Sequence, residues 1–252
     1  MCRKCLVLLA ILVLAAGVYA GDPWKDKTYK EWDEKDARRI LNDSPWARVV
    51  GVVATWRSQR GQQDSPAGAT GQPVGREEEG GAGGAGVIPG GTRSGAAESG
   101  GPEFPQVEFV VRWSSARTSR QAVARMAVLR GTPEPEVEKF LAQPVSEHEI
   151  VVVGTDMTPF TKTDEIALKE KTYIKPKKTK QKLAPVRIET RRSEDGKRIN
   201  AVVFHFVMKS ESGEPVISSD EKGVEFECRA GNFSIKTTFE PRKMTSKAGA
   251  DL

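Results

Sequence analysis

Histidine and cysteine are the side chains that most often bind metals or act as nucleophiles, and this chain has few of them. Beyond residue 20 they are His148, His205 and Cys228. A metal site needs three or four converging ligands, and no spacing of these residues provides them. His205 alternates with Val203 and Val207, which indicates a structural role. A Cys228–His205 nucleophile pair is an alternative, although no pattern marks a base or an oxyanion donor beside it.

Carboxylates are the other catalytic candidates, because two of them can suffice for glycosidic cleavage. Asp156, Asp164 and Glu165 are available, and no motif singles out a pair among them. Asp156 follows Gly154 and Thr155 in a segment with the composition of a turn. A carboxylate-dependent exported hydrolase is therefore kept as the alternative function, with its catalytic residues unknown.

A run of basic residues from Lys169 to Arg192 is the strongest functional lead. It contains seven lysines and three arginines against two glutamates, which gives a formal charge of +8. Such a run predicts binding to a polyanion, such as an acidic glycan, an anionic headgroup or a nucleic acid. The alternative is a solvated loop with a lysine-protected edge strand. The candidate polyanion-binding residues are Lys169, Lys171, Lys175, Lys177, Lys178, Lys180, Lys182 and Arg187.

The N-terminus has the pattern of a secretory signal peptide. Arg3 and Lys4 precede an apolar run of 14 residues from Cys5 to Val18, and Ala20 ends a small-residue cleavage pattern. The run is too short for a membrane span, which needs about 20 residues. We therefore predict cleavage after Ala20 and a secreted or periplasmic protein. The mature chain then has a net charge of +3, because the segment removes two of the 39 basic residues.

The predicted domain organisation is one domain with an insertion. Residues 1–20 are the signal peptide, and residues 21–56 contribute a helix and the first strand. Residues 57–105 are predicted to be a disordered insertion, because Gly61–Gly101 holds 14 of the 24 glycines and its apolar residues show no period. Residues 106–242 complete the domain, and residues 243–252 form a flexible tail. The strands that flank the insertion are expected to pair with each other.

Hydrophobic periodicity predicts an α+β fold, with an antiparallel sheet and helices packed on one face. Asp195-Gly196 is the strongest hairpin signal. Ile199–Met208 is apolar on both faces and should lie inside the sheet. The predicted helices are Tyr29–Asn42, Ser119–Arg130, Pro133–Ala142 and Thr163–Lys171. The other predicted strands are Arg48–Trp56, Val107–Trp113, His148–Thr155 and a series of strands from Leu183 to Phe239.

Two stretches near the N-terminus and one near the C-terminus carry a resemblance. Trp24–Trp32, Ile40–Trp46 and Phe239–Met244 resemble the corresponding segments of a family of uncharacterised exported bacterial proteins. This family is loosely related to GWxTD-domain-containing proteins, although the motif of that name does not occur here. The resemblance implies an exported bacterial protein and supplies no catalytic residues.

We therefore expect an exported binding or scaffolding protein of the cell envelope that carries out no chemistry. No cofactor and no metal site are predicted. The expected partner is an anionic envelope component or another envelope protein, contacted through the lysine-rich run. A third alternative is an accessory subunit of an envelope assembly. No specific nucleic-acid binding is expected, because only Tyr173 interleaves the lysines.

Overall fold

The computed structural model describes residues 21–54 and 106–252. Within these ranges the chain forms helices and antiparallel sheets, so the predicted α+β class is confirmed. The predicted signal peptide and the predicted insertion at 57–105 lie outside the described residues. No helix in these ranges is long and apolar enough to cross a membrane.

The larger sheet has five antiparallel strands. Their bounds are Ala47–Val53 (β1), Gln106–Trp113 (β2), Glu147–Gly154 (β3), Arg187–Arg192 (β5) and Ile199–Val207 (β6). The spatial order is β1-β2-β3-β6-β5. β1 and β2 are direct neighbours, as predicted for the strands that flank the insertion. β5 and β6 also pair across the turn at Gly196, whose φ of 69° suits glycine.

The smaller sheet takes the remaining long strands, which are Thr172–Pro176 (β4), Val224–Ala230 (β7) and Phe233–Phe239 (β8). Its order is β4-β7-β8, and all its pairs are antiparallel. A single sheet was predicted, and β4 was missed within the lysine-rich run. An apolar face of each sheet buries the other, and on the opposite face of the larger sheet Val151, Ala201 and Val203 form a second buried cluster.

Aromatic side chains fill the space between the two sheets. Phe109 on β2 lies 4.9 Å from Phe233 on β8, between ring centroids. Trp113 lies 5.3 Å from Phe239 in an edge-to-face arrangement. All four side chains are buried. Burial of each such ring stabilises the fold by roughly 1.5–3 kcal/mol, so this layer is the main source of cohesion between the sheets.

Six α-helices accompany the sheets in the described ranges. Their bounds are Pro23–Asp26 (α1), Glu34–Asn42 (α2), Arg117–Leu129 (α3), Glu134–Ala142 (α4), Thr158–Thr161 (α5) and Glu165–Glu170 (α6). Ile40 of α2 and Met126 of α3 are buried in the same core as the sheet residues. Arg125 of α3 donates to the Trp32 carbonyl at 2.6 Å, which ties α3 to the N-terminal segment.

The single helix predicted for Tyr29–Asn42 is divided in the structure. A short 3-10 turn occupies Tyr29–Glu31, and α2 begins after Asp33. Each of the two elements begins with a capping box, at Thr28 and at Asp33. The Asp36 backbone N–H donates to the Asp33 carboxylate at 2.7 Å. Because each cap satisfies its own first turn, the chain makes two short elements instead of one long helix.

Residues 243–252, predicted as a flexible tail, instead form a small hairpin. Thr245–Ser246 (β9) pairs with Gly249–Ala250 (β10). Asp251 then folds back into the protein and is 6% exposed. Its carboxylate accepts hydrogen bonds from the backbone N–H of Arg117 at 2.6 Å and of Thr118 at 2.7 Å. An acidic side chain at a helix N-terminus is favourable, so Asp251 caps α3.

Candidate functional site, an arginine-lined cleft

A cleft of about 270 Å³ lies where the outer face of the larger sheet meets α3 and the segment between α4 and β3. We call it the arginine cleft, after the residues Arg112, Arg120, Arg187 and Arg191 that line it. Glu147 and Glu149 also line it, and the four arginines leave a formal excess of two positive charges. The cleft therefore favours an anionic occupant.

The alternation of strand side chains places these residues on one face. Arg112 on β2 is opposite Val151 on β3. Glu149 on β3 is opposite His205 on β6, which in turn is opposite Arg187 on β5. Because directly opposed residues project to the same side of a sheet, all five side chains face away from the core between the sheets.

Arg112 is the most unusual of the four arginines. Its Nε donates to the Leu41 carbonyl at 2.8 Å. No ion pair joins it to a carboxylate within the described ranges of the chain. Burial lowers the pKa of Arg112 to about 10, so its guanidinium stays charged at neutral pH. A half-buried cation without a carboxylate partner lowers the stability of the fold. Its charge remains available to an external anion.

Arg120 reaches the cleft from α3. Its Nη2 donates to the Phe140 carbonyl at 2.6 Å and to the Gln143 carbonyl at 3.1 Å. The guanidinium also lies 5.1 Å from the centroid of the Phe140 ring. These contacts hold the group in place without neutralising its charge. Arg120 is thus fixed in position and keeps its positive charge for a ligand.

Glu147, Arg187 and His205 form a charged triplet at the side of the cleft. Glu147 Oε2 lies 2.8 Å from Arg187 Nη2 and 3.0 Å from His205 Nδ1. His205 is 2% exposed, and its buried Nε2 has no hydrogen-bond partner among the described residues. The Glu147 carboxylate is therefore shared between two groups on neighbouring strands, and Arg187 Nη1 also lies 3.8 Å from Glu189 Oε2.

Arg191 completes the basic side of the cleft, and its partner is Glu189. Arg191 Nε lies 3.0 Å from Glu189 Oε1. This hydrogen bond is the main reason why the pKa of Glu189 is lowered. Both side chains are about half exposed, at 55% and 43%. The pair is therefore a surface ion pair that an incoming anion can rearrange at little energetic cost.

Apolar side chains form the opposite wall of the cleft. Val123 on α3 and Phe140 on α4 are 40% and 37% exposed. Val145 and Val151 also line the space. The cleft therefore offers charged and apolar contacts side by side, which suits an anion with an apolar portion.

The predicted lysine site is placed elsewhere, and two of its seven lysines are paired with carboxylates. Lys175 Nζ lies 2.8 Å from Glu225 Oε1, and Lys178 Nζ lies 2.6 Å from Asp220 Oδ2. Lys169 donates to the Val186 carbonyl at 2.8 Å. Of the eight candidate residues, Arg187 lines the arginine cleft and the lysines do not. The exposed lysines without a carboxylate partner in the described ranges are Lys169, Lys171, Lys177, Lys180 and Lys182.

Lys182 takes part in a different contact, on the outer face of the smaller sheet. Its Nζ lies 4.1 Å from the centroid of the Tyr173 ring. The Tyr173 hydroxyl donates to Glu227 Oε2 at 2.6 Å, and this hydrogen bond raises the pKa of Tyr173. Lys236 lies 3.1 Å from Glu225 Oε2 and 3.5 Å from Glu227 Oε2. Lysines, tyrosine and glutamates thus form one mutually satisfied network on this face.

The structure separates the Cys228–His205 pair. Cys228 is on β7 in the smaller sheet, whereas His205 is on β6 in the larger sheet. Burial raises the pKa of the Cys228 thiol to about 12, which leaves it protonated and unreactive. His148 packs against Trp113, and burial lowers its pKa to about 4. Among the described residues, no group of three His, Cys, Asp or Glu side chains could hold a metal ion.

The acidic candidates of the hydrolase alternative have local roles in the structure. Asp156 Oδ1 accepts from the Thr158 backbone N–H at 3.0 Å at the start of α5. Asp164 caps α6 by accepting from the Ala167 N–H at 2.8 Å, and Glu165 is the first residue of that helix. These contacts are typical of turns and helix caps.

Sequence reasoning missed the arginine cleft. Arg187, Glu189 and Arg191 alternate along one strand, and this alternation signals a charged outer face. Arg112 and Arg120 are distant in sequence from them, and only the folded chain brings them together. Comparisons of the chain with protein-family models, with curated proteins and with solved structures found no match.

Proposed function

We propose that this protein is an exported binding protein that carries out no chemistry and holds an anionic partner in the arginine cleft. The observation that carries the proposal is Arg112, a half-buried guanidinium without a carboxylate partner among the described residues. Arg120, Arg187 and Arg191 line the same space. Arginine suits this role because its planar fork binds carboxylates and phosphates through two parallel hydrogen bonds.

Export and an envelope partner belong to the same proposal. They rest on the charged start, the apolar run and the small residues that precede Gly21 in the sequence. The resemblance of the N-terminal tryptophan-rich segment to exported bacterial proteins supports the same location. An anionic envelope component or an acidic envelope protein is the partner that this location would supply.

Binding is favoured over hydrolysis by the state of the carboxyl groups. A general acid at neutral pH needs a raised pKa. Glu189, Glu225 and Glu240 instead have lowered pKa values, caused first by hydrogen bonds from Arg191, Lys175 and Lys243. In the cleft itself, Glu147 is engaged by Arg187 and His205. These carboxylates serve as partners of basic groups.

The lysine-rich run keeps a secondary role in this proposal. Lys171, Lys177 and Lys180 are exposed and have no carboxylate partner in the described part of the chain. Their charges attract an anionic partner at long range and increase its association rate. We expect contacts at the cleft to determine the affinity and the run to determine the approach.

Binding of heparin, used as a polyanion probe, tests the proposal. Arg187→Gln/Arg191→Gln and Lys177→Gln/Lys180→Gln each remove two positive charges from exposed positions. We expect the arginine double variant to weaken binding at least tenfold at low salt and the lysine double variant to weaken it a few-fold, because the cleft contacts are direct.

The salt dependence provides the second measurement. The slope of log affinity against log salt should fall in the arginine variant by about one for each lost contact. Equal losses in the two variants would show that binding follows net charge alone. Absence of binding by the native protein at low salt, to heparin and to an acidic peptide alike, would overturn the proposal.

A further inference from the structure

The arginine cleft is the middle of three adjoining hollows along α3. A second hollow of about 410 Å³ lies between α2 and α3, and it shares Arg112 and Val123 with the cleft. A third, of about 370 Å³, lies at the N-terminal end of α3 and shares Ser115, Arg120 and Val145 with the cleft. The shared residues show that the three hollows lie next to one another along α3.

The second hollow repeats the chemistry of the cleft. Arg38, Arg112 and Arg130 line it together with the apolar side chains of Leu41 and Met126. Arg38 is 61% exposed, and its ion pair with Glu34 is a surface pair within α2. Its guanidinium can therefore exchange that partner for a ligand carboxylate at little cost.

The third hollow continues the pattern at the other end. Arg117 and Arg120 line it with Leu141, Val145 and Leu252. Asp251 also borders it, but this carboxylate is bound by the backbone N–H groups of Arg117 and Thr118. The charge of Asp251 is thus directed at the end of α3, and the Arg117 side chain is exposed.

We propose that the three hollows form a single binding path for an extended acidic segment of a partner protein. This inference rests on the proposed anion-binding function of the arginine cleft and deepens it. Carboxylates of the segment pair with Arg38, Arg112 and Arg120 in successive hollows. Apolar side chains of the segment pack against Val123 and Phe140, which are exposed beside these arginines.

One feature of the path favours a peptide over a sulfated polysaccharide. Arginine forks bind carboxylates and tetrahedral oxyanions alike, so the arginines accept either partner. Apolar side chains lie between the arginines, and a sulfated sugar chain has little apolar surface to place there. Phe140 at 37% exposed and Val123 at 40% exposed provide this apolar surface in the cleft. An extended segment in which acidic and apolar side chains alternate can contact both the arginines and the apolar surface between them.

The experiment uses a short labelled peptide in which glutamate alternates with leucine and phenylalanine. Arg38→Gln/Arg130→Gln removes charge from the second hollow and leaves the arginine cleft unchanged. Arg192→Gln/Arg242→Gln is the matched control, because both residues are exposed arginines outside the three hollows. Thermal unfolding of each variant confirms that it is folded.

We expect Arg38→Gln/Arg130→Gln to weaken peptide binding about tenfold or more and the control to change it less than about twofold. A peptide of glutamate and glycine should bind about tenfold more weakly than the apolar-containing peptide, because it leaves the wall at Val123 and Phe140 exposed.

The inference would be overturned if Arg38→Gln/Arg130→Gln and Arg192→Gln/Arg242→Gln lowered the peptide affinity equally. Equal affinities of the two peptides for the native protein would also overturn it. Heparin binding that depends on Arg187 and Arg191, together with no peptide binding, would also overturn it while leaving the proposed function intact. If neither probe binds, the proposed function itself fails, so the two failures are distinguishable.

Discussion

The outer faces of the two sheets use charge in opposite ways. On the smaller sheet, Tyr173, Lys175, Glu225, Glu227 and Lys236 satisfy one another at distances of 2.6–3.5 Å. At the arginine cleft of the larger sheet, four arginines line the space with two glutamates, and Arg112 has no carboxylate partner in the described ranges. Paired charges stabilise the fold, whereas unpaired buried charges reduce stability and remain open to a ligand. The density of basic residues in the sequence is therefore a poorer guide to binding than their pairing in the fold.

Arg112→Gln provides the largest expected effect and tests this contrast directly. Binding of heparin or the acidic peptide should fall by about 30-fold or more, because a fully engaged charged contact in a cleft is worth about 2–5 kcal/mol. Stability should change by less than about 1 kcal/mol, because the lost Leu41 hydrogen bond is offset by removal of a poorly solvated charge. Anisotropy titration and chemical unfolding measure the two quantities. A large loss of stability with unchanged binding would show that Arg112 stabilises the fold and does not bind the anion.

Glu227→Gln is the complementary change on the smaller sheet. Glu227 is 4% exposed and accepts hydrogen bonds from Tyr173 and Arg229. Its neutralisation should destabilise the fold by about 1–3 kcal/mol, as expected for hydrogen bonds to a charged group. Anion binding should not change, because Glu227 lies outside the arginine cleft. Urea unfolding compared with the heparin titration decides this, and a change in heparin affinity would show that the two faces are coupled.

The pH dependence of stability sharpens the same comparison. Hydrogen bonding to Lys175 is the main cause that lowers the pKa of Glu225 from 4.5 to about 2. A lowered folded-state pKa adds stability above the unfolded pKa, and this stability is lost as pH falls from about 4.5 to 2. Because the pair is salt-screened at the surface, we expect a loss of about 1 kcal/mol over this window.

Glu225→Gln should flatten the part of the pH profile that Glu225 contributes. Unfolding curves collected between pH 5 and about pH 2 for both proteins provide the test. A profile that is identical in the variant would show that other carboxylates determine the acid sensitivity of the protein.

Lys177→Gln should have the smallest effect. Lys177 is exposed, and its contact with the fold is a backbone hydrogen bond to Gly223 at 2.9 Å. Stability should be unchanged, and heparin affinity should fall by less than about twofold, because a rim charge acts mainly on the association rate. Stopped-flow association at two salt concentrations measures that rate. A loss of affinity as large as that of an arginine variant would restore the lysine-rich run as the main contact.

Local pattern was enough to predict much of the fold. The alternation around Phe109 and Trp113, the Asp195-Gly196 turn and the apolar run at Ile199 predicted strands that the structure contains. The division into two sheets was missed, because periodicity identifies a buried face without indicating what covers it. β4 was missed because Lys175 within it and the lysines on either side obscured the alternation of Thr172, Ile174 and Pro176, which are buried.

The site was less predictable than the fold, for a physical reason. Arg112 and Arg187 become neighbours only through the pairing of β2, β3, β6 and β5. Such contacts depend on strand order, and a single sequence does not specify strand order. The lysine-rich run was conspicuous because its residues are adjacent in the chain. Its carboxylate partners, Asp220 and Glu225, lie about 40–50 residues further along, so their pairing was not evident from local sequence.

Asp251 joins the C-terminal hairpin to two distant segments of the chain through hydrogen bonds alone. The Asp251 carbonyl accepts from Trp46 Nε1 at 2.9 Å, while its carboxylate holds the start of α3. Opening of the hairpin at Thr245–Ala250 would release the edge of β1 and the first turn of α3 together. Amide hydrogen exchange in these three distant segments should therefore proceed as one cooperative unit.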